Sequence, residues 1–352
     1  MEYVYLGILI FIFGLAIFDL IIGVSNDAVN FLNSAVGAKT ASFKVILGLA
    51  AIGVFFGAAT SNGMMDVARH GIFQPQYFTF VEIMCILMAV MVTDVILLDT
   101  FNSLGMPTST TVSLVFELLG GTVALAMIKS IASEGALTFG EMINTDKVLT
   151  VVLGIFLSIA IAFFFGLLIQ WITRVIFTFN YKRNLKWFAG IFGGIATTAI
   201  IYFMLFKGLK DSSFMTPENK QWINENTGQL LVYVFLGSGV LMQILHWCKV
   251  NIFKIVVLMG TFSLAMAFAG NDLVNFIGIP LTSLATYQDY MANGQGVGMD
   301  VFTMDSLNGP ANTPILFLLG AGAIMVFALV TSKKAHNVIK TSVNLSKQDD
   351  GD

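Results

Sequence analysis

The sequence predicts an all-α integral membrane protein, a polytopic helical bundle with inverted-topology repeats and interrupted helices. Three observations lead there. Of its 352 residues, 57% are hydrophobic and only 11% charged, less than half the roughly 25% charge of an ordinary soluble domain. The apolar residues form runs long enough to cross a bilayer, which takes about 20 residues. One polar motif is written twice inside such runs, as GVSNDAVNF at 23–31 and AGNDLVNFI at 269–277.

The runs fall at about 3–22, 43–60, 81–101, 105–128, 148–173, 187–206, 230–247, 251–269 and 312–331. Lipid gives an unpaired backbone no partner, so these must be helices; the short alternating strands of a barrel are absent. No basic segment and cleavage site precede the first run, which reads as a retained span. The organisation expected is a first repeat over 1–130 and intervening spans over 131–250. A second repeat begins over 251–332, and a polar cytoplasmic tail covers 333–352.

Lysine and arginine set the orientation. Arg174, Lys182, Arg183 and Lys186 form the densest basic segment, Lys249 and Lys254 a second, and Lys333, Lys334, Lys340 and Lys347 a third. Two spans separate each from the next, so all three are expected in the cytoplasm. Counting backwards puts Lys39 and Lys44 inside and the N-terminus outside. The two Asn-Asp patches then run through the membrane in opposite senses. Antiparallel copies of one motif are the mark of an inverted repeat, whose substrate site lies near the midplane at the repeat interface.

In the patches, Asn26, Asp27 and Asn30 correspond to Asn271, Asp272 and Asn275. On a continuous helix Asn26 and Asn30 share a face, with Asp27 about 100° around. Gly23, Gly37, Gly270, Gly278 and Pro280 flank the patches, so each is expected at a helix interruption with backbone groups free for a ligand. A single such patch could equally be helix glue or a cap. Two copies in opposite orientation favour function, as an ionisable residue inside a membrane does by default.

A second constellation is NSLGMPTSTTVSLVFELLGG, at 102–121. Gly105 and Pro107 stop one helix, and Thr108, Ser109, Thr110 and Thr111 crowd the first turn of the next. Free N–H groups and the positive dipole end suit an anion there. N-capping explains one or two of these hydroxyls. Further intramembrane acids are Asp19, Glu82, Asp94, Asp99 and Glu117, for which packing or interfacial roles are the commoner case. Cys85 and Cys248 read as buried small hydrophobes, and His70, His246 and His336 make no metal cluster.

These motifs resemble the inorganic phosphate transporter family, the sodium- or proton-coupled phosphate permeases. The patches resemble its GANDVANA-type signature. GMPTSTT resembles its GLPVSTTH element, with Met106 and Thr108 substituted and Val112 where histidine is usual. The resemblance runs from about residue 4 to 345. It implies inverted repeats, a homodimer, and adjacent phosphate and cation sites to which both repeats contribute Asn, Asp, Ser and Thr. The family's second Ser-Thr-Thr element does not follow the second patch; NGPANTPILFLLG at 308–320 is the polar-to-apolar break in that region. The expectation is a chain ending early relative to the family.

Chemistry alone favours a coupled anion. Neither patch nor the 105–121 segment contains Lys or Arg. Phosphate held by neutral donors beside Asp27 and Asp272 would be repelled in a low dielectric unless cations bridged them. The expected phosphate ligands are Asn26, Asn30, Ser109, Thr110, Thr111, Asn271 and Asn275. The expected cation ligands are Asp27, Asp272, Asn30 and Asn275, with Na+ at the aspartates favoured over H+ because hard oxygens suit it. No other cofactor is called for. The expectation is thus a phosphate symporter of a bacterial inner or plasma membrane. The alternatives are a permease for another tetrahedral oxyanion such as sulfate, or a non-transporting phosphate sensor. A phosphoryl-handling enzyme would need a base, nucleophile or P-loop that the sequence lacks.

Overall fold

A computed structural model describes residues 2–61, 67–134, 136–178, 181–209, 215–309 and 313–345. All named elements within these are helical. Helix α1 spans Glu2–Gly37, α2 Phe43–Thr60, α3 Phe80–Leu104 and α4 Thr110–Ala132. A short α5, Phe139–Met142, leads to α6 at Thr145–Phe177, α7 at Tyr181–Phe203 and α8 at Pro217–Trp247. Then come α9, Ile252–Asp289, α10, Ile315–Thr331, and α11, Lys333–Leu345. Among the described residues eight helices are long and apolar enough to cross a membrane, and the α10–α11 pair, bent by 65°, makes a ninth span if taken as one.

Two apolar clusters hold the bundle. One joins the early part of α1 to α3, α4 and the loop before α10, through Ile12, Phe80, Leu87 and Leu118. The other joins the late part of α1 to α2, α9, α10 and α11, through Val24, Leu32, Val54 and Leu273. Close approach of helices in lipid needs small residues. Gly53 and Gly57 of α2 provide it: a Cβ on Gly57 would overlap the Met266 carbonyl of α9. Gly190 and Gly194 of α7 face Gly239 of α8 in the same way. Outside these seams, α6 turns its apolar side chains outward, with Phe156 66% and Phe163 72% exposed, as lipid-facing residues should be.

The α3–α4 hairpin is defined at both ends by local chemistry. Thr79 and Glu82 form a reciprocal capping box at the start of α3, and Glu82 also pairs with Lys129 of α4 at 2.8 Å. At the other end Gly105 takes a left-handed conformation (φ 68°), which ends α3, and the Ser109 hydroxyl accepts the Val112 N–H to start α4.

Several expectations need correcting. The Asn-Asp patches do not lie at interruptions, because α1 and α9 are continuous helices through both. At Gly23 the reason is packing, since the Phe276 ring of α9 fills the space a Cβ would need, whereas a Cβ on Gly270 would make only ordinary contact with the Gly57 carbonyl. Pro280 lies inside α9, where it has no N–H to return to the Phe276 carbonyl. The break lies elsewhere, at Ser332 between α10 and α11. Residues 333–345 of the expected polar tail form a helix docked on the bundle, with Ala335, Val338 and Ile339 on one face and buried. Residues 346–352, the rest of the expected tail, and 310–312 of the predicted polar-to-apolar break lie outside the described residues. Cys85 and Cys248 are exposed on outward faces rather than buried.

Candidate functional site

The site is built where α1, the α3–α4 turn and α9 meet. Asn26 is fully buried on α1 and uses its whole amide. Its Nδ2 donates to Asn102 Oδ1 (2.6 Å) and to the Met106 carbonyl (3.1 Å), while its Oδ1 accepts the Thr108 N–H at 2.8 Å. Asn102, also buried, donates onward to the Ile22 carbonyl at 2.7 Å. The first residue of the patch therefore clamps the turn that carries the hydroxyls. Its neighbour Ser25 fastens the other break: its hydroxyl lies 2.6 Å from the Ile21 carbonyl and 2.8 Å from Ser332 Oγ.

One position along, Asp27 is buried and its Oδ2 accepts the Thr110 hydroxyl at 3.0 Å. Thr111, next on α4, reaches the second patch. Its Oγ accepts from Asn275 Nδ2 at 2.8 Å and donates to Asp272 Oδ1 at a long 3.5 Å, and Asn275 also donates to Asp272 at 3.4 Å. Adjacent residues of α4 therefore reach Asp27 and Asp272. Consecutive threonines at one helix N-terminus thus touch the aspartates of both motif copies.

The predicted site residues divide accordingly. Asp27, Thr110, Thr111, Asp272 and Asn275 come together, with Asn26 behind them as the clamp. Ser109 is the N-cap of α4, the commoner role for such a hydroxyl. Asn30 and Asn271 stand apart: both are exposed, and their side chains hydrogen-bond to no other described residue. One turn along the same helix face, Asn26 is buried against the α3–α4 turn and Asn30 is exposed. Asn102, Ser113 and Ser332 were not singled out by sequence reasoning. Asn102 opens the quoted 102–121 stretch and is a lone amide inside an apolar helix, which is the signal that marks it.

Charge completes the geometry. The Val112 N–H of α4 is taken by Ser109, but the first-turn N–H groups before it carry the positive end of the helix dipole beside two carboxylates. Hydroxyls, amides, carboxylates and a helix N-terminus in one cleft can hold a cation and an anion side by side. Among the described residues no three His, Cys, Asp or Glu are grouped as a metal centre would need.

A multi-pass helical bundle with such a polar centre, assembled from two far-apart motif copies, has the design of a membrane transport protein. A profile of the phosphate transporter family matches residues 23–343, and the chain belongs to that family. The comparison with curated proteins returned no match. Among solved structures, a chain described as the sodium-dependent phosphate transporter is similar with a TM-score of 0.66 and 18% identity, over 96% of this chain and 78% of that one. At that identity the likeness establishes a shared fold.

Proposed function

We propose that the protein carries inorganic phosphate across the membrane by cation-coupled alternating access, with Na+ rather than H+ as the coupling ion. The observation that carries it is the meeting of both motif copies at the N-terminus of α4, Asp27 through Thr110 and Asp272 through Thr111. Phosphate takes hydrogen bonds from the first-turn N–H groups and hydroxyls of α4. The cation sits between the phosphate and the carboxylates of Asp27 and Asp272, with Asn275 as a further oxygen ligand, and offsets their repulsion. Asn30 and Asn271 face the open side, where they meet the ions first. Sodium suits a site made of hard oxygens, and the similar solved structure is of a transporter described as sodium-dependent. In this arrangement the N-terminus is outside, the basic segments around Lys182, Lys249 and Lys334 are cytoplasmic, and the protein is a homodimer.

Uptake of labelled phosphate into proteoliposomes under imposed Na+ or H+ gradients tests the proposal. Asp27→Asn and Asp272→Asn should each cut Na+-driven uptake about tenfold or more, a loss of about 1.4 kcal/mol in transition-state or binding free energy. Undiminished uptake in both variants sinks the site, and inhibition by sulfate as strong as by phosphate sinks the substrate.

A further inference from the structure

About two turns back along α1 from Asp27, some 12 Å at 1.5 Å per residue, lies a second polar centre. Asp19 is fully buried, and neither of its carboxylate oxygens has a hydrogen-bond donor among the described residues. It lies beside Asp94 of α3. Asp94 Oδ1 in turn lies 2.9 Å from Ser113 Oγ on α4, and Glu117 Oε1 lies 2.7 Å from that same oxygen. Glu117 Oε2 is buried without a partner among the described residues. Ser113 has one hydrogen for two carboxylates, and Asp19 has none offered to it.

The packing sets this centre apart. Buried apolar residues of α1 before Asp19, such as Ile12 and Ala16, belong to one core cluster, and those after it, from Leu20 on, to the other. On α3 the division falls around Asp94, with Met91 in one cluster and Leu98 in the other. The acids therefore line the seam between two apolar cores. Ser113 and Glu117 also border a groove of about 620 Å³ that runs along α4 to Ser109, which joins the seam to the α4 N-terminus.

Neighbouring carboxylates inside a low dielectric cannot both remain charged without a cation near them. Among the described residues, no lysine, arginine or backbone donor reaches their oxygens to supply that charge. We propose that Asp19, Asp94 and Ser113 form a second monovalent-cation site, apart from Asp27 and Asp272, with Glu117 hydrogen-bonded to its serine. Its occupant is Na+ or a proton, since the donors are two carboxylates and a hydroxyl rather than the larger acid set of a divalent ion. On a path along α1 from its N-terminus, this site is met before Asp27. The inference rests on these side chains whatever anion is carried, and its test reads cation binding rather than uptake.

The experiment uses the full chain, purified in detergent, with two readouts. Radioactive ²²Na+ binding at saturation counts bound ions per chain, and infrared spectroscopy reads the carbonyl stretch of protonated carboxyls. For a Na+ site, Asp19→Asn removes one bound ion from the count, and Asp27→Asn leaves that ion in place. For a proton site, Asp19→Asn leaves the Na+ count unchanged and removes a protonated-carboxyl band that Asp27→Asn keeps. Asp94→Asn repeats the measurement from the other side of the pair, should Asp19→Asn fail to fold. If both the ion count and the carboxyl bands are unchanged in the folded variants, the proposal is overturned.

Discussion

Asn26 of α1 and Asn102 of α3 are joined amide to amide at 2.6 Å, and through them Ile22, Met106 and Thr108 are held to one another across two helices. A buried donor or acceptor left without a partner costs about 1–3 kcal/mol. Asn26→Ala strips partners from Asn102 and from the Thr108 N–H together, so it should lower the melting temperature in detergent. Asn26→Asp should be as damaging, because a carboxylate oxygen replaces the donor that faces Asn102 Oδ1 and the Met106 carbonyl. A melting temperature equal to that of the unmutated protein in both variants would show that the clamp carries no stability.

Thr111 and Asn275 share one hydrogen bond and one carboxylate, so their contributions should not add. In a double-mutant cycle on the Na+ concentration for half-maximal uptake, Thr111→Val and Asn275→Ala should couple by about 0.5 kcal/mol or more. Thr110→Val touches Asp27 instead and should combine nearly additively with Asn275→Ala. Simple additivity of Thr111→Val with Asn275→Ala would argue against the shared carboxylate.

The α2–α9 seam depends on the absence of a side chain. Gly57→Ala places a methyl against the Met266 carbonyl and should destabilise by about 1–3 kcal/mol, in the range of other overpacked interiors. Gly48→Ala lies on the same helix with nothing within 4 Å and should be neutral or slightly stabilising. Thermal unfolding followed by tryptophan fluorescence separates the two.

Docking of α11 should owe little to its visible ion pair. Lys334 pairs with Asp99, both 46% exposed, and such pairs are worth about 0–1 kcal/mol. Ile339, buried to 2% exposure, should matter more: Ile339→Ala is expected to cost about 2–4 kcal/mol, against little for Lys334→Ala. Asn33 and Ser342 lie 3.0 Å apart across the α1–α11 contact. Cysteines at these two positions should cross-link under mild oxidation, and failure to do so would mean α11 does not dock on α1.

The helices could be read from the sequence because lipid imposes one simple demand, a long apolar run, and every expected span has most of its length in a helix, although the one begun at 105 includes the turn before α4. Motif duplication exposed Asp27 and Asp272 because a repeated polar word in apolar text needs a reason. Glycine and proline misled. Around Asn26 and Asn271 they suggested breaks, whereas both helices run on and Gly23 makes room for the Phe276 ring; letters alone do not distinguish a helix that stops from one that is closely approached. Nor could single residues announce their partners. Asp19, Asp94 and Glu117 each read as an isolated acid, and only the packing of α1, α3 and α4 makes them neighbours. Ser332 sat unnoticed before a lysine-rich stretch that looked like a polar tail.

The two aspartates of the repeated motif meet water unequally: Asp27 is 3% exposed, and Asp272 keeps a partly open face beside exposed Thr111 and Asn271. A hydrated ion reaching the centre from that side therefore encounters Asp272 with part of its water still attached, and reaches Asp27 only after shedding the rest. Loading has an order of arrival. Binding followed in time should resolve into a rapid capture and a slower dehydration-limited step, although the two halves of the protein carry the same word.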